Sequence, residues 1–155
     1  MRQYILAAMI VVLAAGMAGA ASVTVTQIKA SGSGGKVTVD PKLSDIAKHI
    51  SKQFRFSKYE FLSSKSSTVA DGSTATWELG AGLKLDVTVS ETERESKAAK
   101  YTLDIEVYKV TDKGRESTLK MSYKVRSKSP FLVGGFDKEA ESKGWTLILA
   151  IKVEE

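Results

Sequence analysis

The sequence predicts an α+β fold: a mainly antiparallel sheet or open sandwich of about seven to nine strands with one amphipathic helix packed on it. Three observations predict it. Apolar residues alternate with period two from Lys58 onward, a single stretch near Asp40 has helical period, and the last strand is apolar on both faces.

The chain opens "MRQYILAAMIVVLAAGMAGAAS". Arg2, an apolar run from Tyr4 to Ala15 and the small residues Ala18-Gly19-Ala20 follow the order of a secretory signal peptide, with cleavage expected between Ala20 and Ala21. The apolar run is short for a bilayer span of about 20 residues. Residues 1–20 are therefore read as a signal peptide and residues 21–155 as one β-rich domain, with no stable membrane insertion after cleavage. The expected location is a bacterial periplasm or the extracellular medium. The chain has no cysteine, which excludes disulfides, a lipid anchor on sulfur and thiol catalysis. Removing the first 20 of 155 residues leaves 135, enough for one core without covalent staples.

The formal charge is +5, or +4 without Arg2. Eighteen of the 23 basic residues are lysine and they spread along the chain. Lysine is a solvated point charge, whereas bidentate phosphate or base recognition favours arginine. Nucleic acid is accordingly not expected as a partner of an exported protein, and the lysines are read mainly as a soluble face, with an anionic envelope polymer as the secondary reading.

"VTVTQIKA" and "KVTV" are β-branched segments separated by the glycines of "SGSGGK". A phosphate loop needs glycine at position 30 and Ser or Thr at position 37, where Ala30 and Val37 stand. The stretch is read as a turn between two short strands. Asp40-Pro41 then starts a helix expected to run over about 41–54, because Asp caps orphan amides and Pro suits the first helical position. Leu43, Ile46, Ala47, Ile50 and Phe54 make one apolar stripe. Asp45, Lys48, Lys52 and the sole histidine, His49, fall on its polar side, and a lone histidine there supplies no metal centre.

The strands follow. "KYEFLSS" and "TATWEL" flank a turn at Asp71-Gly72. "LKLDVTVS", "YTLDIEVYKV" and "TLKMSYKVR" each alternate apolar and polar residues, as strands of an antiparallel sheet with one wet face do. Around "TDKGRE" the register that sets Val107 opposite Leu119 also sets Ile105 opposite Met121 and Leu103 opposite Tyr123. It places Glu106 across from Lys120 and Thr102 across from Lys124, and a one-residue slip would scatter all of these pairs. "SETERESKAAK", Ser90 to Lys100, reads as a charged loop whose Glu91, Glu93 and Glu95 lack the pattern of a calcium loop.

"SPFLVGG" then places Pro130 at a strand start, and Gly134-Gly135 at a bulge or a close backbone approach. "FDKEAESKG" is a polar excursion. In "WTLILAIKV", Leu147 to Ile151 are apolar on both faces, so this strand is expected at the interior of the sheet, covered on both sides.

The wet face carries Asp86, Asp104 and Glu106, but hydrolytic pairs need one carboxyl in an apolar pocket. Cross-strand pairing with Lys84, Lys120, Lys124 and Arg126 accounts for these acids, each pair worth about 0.2 to 1 kcal/mol. No G-x-S-x-G occurs, and Ser63, Ser66 and Lys65 are read as coincidence of common residues. No catalytic, metal or cofactor residue is assigned.

The order "DPKLSDIAKHISKQFRFSKYEFLSSKSSTV", alternating strands, "PFLVGG" and "GWTLILAI" resembles a family of small exported bacterial β-rich domains of uncharacterised function, over about Asp40 to Val153. "LVGG" followed by a hairpin is also similar to a strand pair in outer-membrane secretins. The resemblance implies an envelope setting and an assembly role, and carries over no catalytic residue.

The function expected is therefore a non-catalytic envelope protein that binds another protein or an anionic polymer. Tyr108, Lys120, Lys124, Gly134, Gly135 and Phe136 are its candidate interaction surface. An extracellular hydrolase or inhibitor is the rival. A third reading places an apolar ligand between helix and sheet, in a cavity lined by Phe54, Phe56, Tyr59, Phe61 and Trp77, although burial alone explains aromatic side chains there.

Overall fold

Period-two alternation gives each strand an apolar row, and two sheets bury those rows by packing face to face. The computed structural model describes residues 20–80, 82–95 and 98–155, so residues 1–19, on which the expected signal peptide falls, lie outside it. The strands are β1 (Ala21–Ser31), β2 (Thr38–Val39), β3 (Lys58–Val69), β4 (Thr74–Gly80), β5 (Leu83–Glu95), β6 (Ala98–Thr111), β7 (Gly114–Arg126), β8 (Phe131–Gly134) and β9 (Trp145–Glu154). They form a five-stranded sheet of order β2-β3-β1-β9-β8 and a four-stranded sheet of order β4-β5-β6-β7. All pairings are antiparallel except the short parallel pair of β2 with β3.

The fold is thus the α+β sandwich read from the sequence, with a helical layer on the outside of the five-stranded sheet. The element β9 explains both cores. Leu147, Leu149, Ile151 and Val153 point between the sheets, where they meet Val23 and Val25 of β1 and the inward rows of β5 and β6. Ile148 and Ala150 point the other way and join Ile28, Leu43, Ile46, Ile50 and Tyr59 under the helical layer. A strand dressed on both faces must be apolar on both, which is the pattern of Leu147 to Ile151.

A bulge in β3 lets one strand serve both cores. Gln27 lies opposite Ser63 and Ile28 opposite Phe61, so Leu62 is the extra residue. Before it Tyr59 and Phe61 face the helical layer; after it the same parity turns inward and delivers Val69 to the core between the sheets. Leu62 itself is exposed.

The helix departs from the expected span of 41–54. Asp40 does cap the start, its carboxylate accepting from Lys42 N at 3.0 Å, but only a 3-10 turn at Pro41–Leu43 follows. The α-helix proper, α1 (Ala47–Gln53), begins after Ile46 at φ −111°, ψ 0°. Ser44 and Asp45 compete locally with helix hydrogen bonding, which accounts for the break. The stripe survives it: Leu43, Ile46 and Ile50 are buried, and Asp45, Lys48, His49 and Lys52 are exposed. A second helix, α2 (Lys138–Ser142), stands where the sequence suggested only a polar excursion. Asp137 caps it through Glu139 N at 3.1 Å and Ala140 N at 3.2 Å.

One other expectation is corrected. Ser90 to Lys100 is a continuation of β5 and β6 with a bulge between Glu91 and Glu93, because ladder pairing overrides the polar composition; Ser96 and Lys97 lie outside the described residues. Asp71-Gly72 is the turn between β3 and β4 read from the sequence, and it carries the chain from one sheet to the other, with Trp77 Nε1 donating to Lys65 O at 3.3 Å across the crossing. The glycine loop is a turn as read, with Gly32, Gly34 and Gly35 all at positive φ.

Candidate functional site

The outer face of the four-stranded sheet carries most of the charged side chains that alternation sends away from the core. The predicted register holds: Val107 pairs with Leu119, Ile105 with Met121, Leu103 with Tyr123, Glu106 with Lys120 and Thr102 with Lys124. Closer to the turn, Tyr108 pairs with Ser117, so Thr118 is an extra residue and side-chain parity inverts past it. That inversion brings Arg115 to the wet face beside Tyr108 and the acids.

Arg115 then organises the face. Its Nη1 lies 3.3 Å from Asp86 Oδ2 and 3.1 Å from Glu106 Oε1, and its guanidinium stacks 3.8 Å over the Tyr108 ring. Asp86 Oδ1 also accepts from Thr76 Oγ1 at 2.7 Å and from the Tyr108 hydroxyl at 3.0 Å. Burial, and after it the hydrogen bond to the Asp86 carboxylate, raises the Tyr108 hydroxyl above its ordinary value of 10.0. Glu106 does stand opposite Lys120, but the ion pairs of the acids in this network are made by Arg115, a residue the sequence reading did not single out. No local signature marks a bulge at Thr118, so only the lengths of the two strands across the turn could have suggested it.

Beside this network lies a shallow concavity of about 560 Å³, whose polar lining includes Thr88, Asp104, Lys120 and Ser122. Asp86 and Glu106 share the Arg115 cation there, so the arrangement is a charge network. Among the described residues no group of three His, Asp or Glu side chains could hold a metal ion, and the side chains of Glu93 and Glu95 lie outside that set.

Lys120 and Lys124 are exposed, and neither has a carboxylate within ion-pair distance among the described residues. They stand on β7, which ends its sheet. Tyr108, expected on the wet face, is on that side but only 4% exposed, covered by Arg115. Phe136 is buried in the core between the sheets, so it closes one end of the sandwich instead of offering a contact. Gly135 is exposed at φ +81°, while Gly134 is a close approach: a Cβ there would lie 3.1 Å from Ile148 Cγ1, 3.2 Å from Phe54 Cε1 and 3.3 Å from Leu147 O.

The five aromatic residues do not share a cavity. Trp77 belongs to the core between the sheets, and Phe54, Phe56, Tyr59 and Phe61 to the helical layer. Tyr59 is buried with its hydroxyl accepting from Phe56 N at 3.1 Å, and Phe61 lies under Lys42. Phe54, Phe56 and Tyr59 line an open groove of about 270 Å³ with Val37 and Arg55. The apolar lining is thus a surface groove at the end of α1, while Phe61 instead lines a separate hollow of about 220 Å³ between Lys42, Leu43 and Ile46 of the helical layer and Thr24, Thr26, Ser64 and Ala150 of the sheet.

No helix among the described residues is long and apolar enough to cross a membrane. No family model matches the chain, and no curated protein matches it. Among solved structures, the cryo-EM structure of the T2SS secretin XcpQ from Pseudomonas aeruginosa aligns with 87% of this chain and 56% of that chain, at 11% identity and a TM-score of 0.29. The chain therefore spans just over half the length of the secretin chain it aligns with, and the likeness transfers no residue role.

Proposed function

We propose that the protein is an exported, non-catalytic binding or assembly module of the bacterial envelope, processed to residues 21–155, whose docking surface is the lysine-bearing side of β7. Its partner is another envelope protein or an anionic polymer. One observation carries the reading: on the wet face the acids Asp86 and Glu106 are consumed by Arg115, whereas Lys120 and Lys124 remain exposed and uncommitted on an edge strand. An uncommitted cation at a rim steers and selects an anionic partner. The signal-peptide pattern of residues 1–20 supports the location, and the single core shared by both sheets supports one domain.

The test is affinity capture from envelope extract with the mature protein and with the K120E/K124E variant side by side. A stoichiometric partner retained by the native protein and released by the variant is expected. Recovery that is the same with both proteins, or recovery of no partner, would refute the docking surface.

A further inference from the structure

Resting on that docking surface, we infer that β7 takes up an added strand: an extended segment of a partner protein in which apolar and acidic residues alternate. Three features of β7 point to this occupant, one each from its backbone, its inner row and its outer row.

The backbone is unpaired on one side. Pairing with β6 uses half of the main-chain groups of β7, and among the described residues no N–H or C=O from Arg115 to Val125 bonds to anything beyond that neighbour. The opposite edge of the same sheet is different, since the carbonyl of Glu78 in β4 accepts from Gln27 Nε2 at 3.3 Å. An edge strand with a free row of donors and acceptors is a template for main-chain pairing.

The inner row is incomplete. Leu119 and Met121 are only half-buried, and Tyr123 is 47% exposed although its ring stacks on Phe131 at 4.3 Å. Phe131 and Val133 of β8, the edge of the other sheet, are also half-buried. The two edges leave an apolar seam along one side of the sandwich. Apolar side chains at alternate positions of an added strand would extend the core into it.

The outer row fixes the charge of the occupant. Lys120 and Lys124 lie four positions apart and so point to the same face, where carboxylates directly across would satisfy both. A second copy of β7 is disfavoured in the register centred on Ser122, because that antiparallel pair sets Lys120 against Lys124 twice. The same lysines therefore oppose self-pairing in that register and select an acidic strand, which is specificity by repulsion as well as attraction.

The probe is a synthetic peptide alternating valine and glutamate, matched in length to Arg115–Val125. Bound to the mature protein, it is expected to slow hydrogen exchange at the β7 amides that β6 leaves free. N-methylation of alternate peptide residues should abolish binding, and K120E/K124E should weaken it by about tenfold or more, two ion pairs being replaced by repulsion. A valine and lysine peptide should bind only the variant. Equal binding of the N-methylated peptide, or protection confined to other strands, would overturn strand addition. Polygalacturonate, which has no amide backbone, separates the two readings. If it binds through Lys120 and Lys124 while the valine and glutamate peptide leaves β7 amides unprotected, strand addition falls and the docking surface stands.

Discussion

Arg115 illustrates how one residue sets the character of a face. Without its charge, Asp86 and Glu106, which are direct cross-strand partners, would oppose each other with like charge. Arg115→Met should therefore lower the melting temperature, and the loss should shrink in the D86N/E106Q background; a thermal double-mutant comparison measures both. Tyr108 provides a second test. Its raised pKa means that folding favours the neutral phenol, so its contribution is complete below its ordinary value of 10.0 and is lost as pH rises through the higher folded value. The stability advantage of the native protein over Tyr108→Phe should hold below pH 10 and shrink in the alkaline range above it, measured by denaturant unfolding. The acids and their register were legible from alternation alone, because a slip of one residue would have misplaced every apolar pair. Arg115 was not, because a single inserted residue inverts parity and Ser117-Thr118-Leu119 has nothing that marks a bulge.

At the scale of elements, the sequence is most readable where burial is two-sided. Leu149 lies in β9 with no exposed surface, and Leu149→Ala should cost about 2 to 5 kcal/mol in denaturant unfolding, the range for a cavity left in a packed core. Gly134 tests the contact between β8 and its neighbours. Because one of the atoms facing its missing Cβ is the backbone oxygen of Leu147, which cannot rotate away, Gly134→Ala should destabilise by about 1 to 3 kcal/mol. Asp137→Ala should cost about 1 kcal/mol by uncapping α2. The start of the first helix was visible in Asp40-Pro41, since capping is local chemistry. Its division into a 3-10 turn and α1 was not, because the apolar stripe continues across Ser44 and Asp45 unchanged. α2 escaped notice because five residues are too few to show a period.

For the whole molecule, period and two-faced apolarity were enough to specify a sandwich with a helical layer, but not how the strands are ordered. Order depends on crossovers such as the one at Asp71-Gly72, where a turn that looks like a hairpin moves the chain between sheets. The expected processing site has a physical corollary. Cleavage after Ala20 leaves Ala21 as the first residue of β1, which lies between β3 and β9. A peptidase cutting there would have to act before β1 pairs, since it needs an extended and accessible chain. The reading of a binding module stands or falls on β7. Hydrogen exchange of the mature protein alone and in complex with the partner captured from envelope extract tests it most directly. Slowed exchange along Arg115–Val125 is predicted, and a bound partner that leaves those amides unchanged while protecting α1 or β9 instead would contradict it.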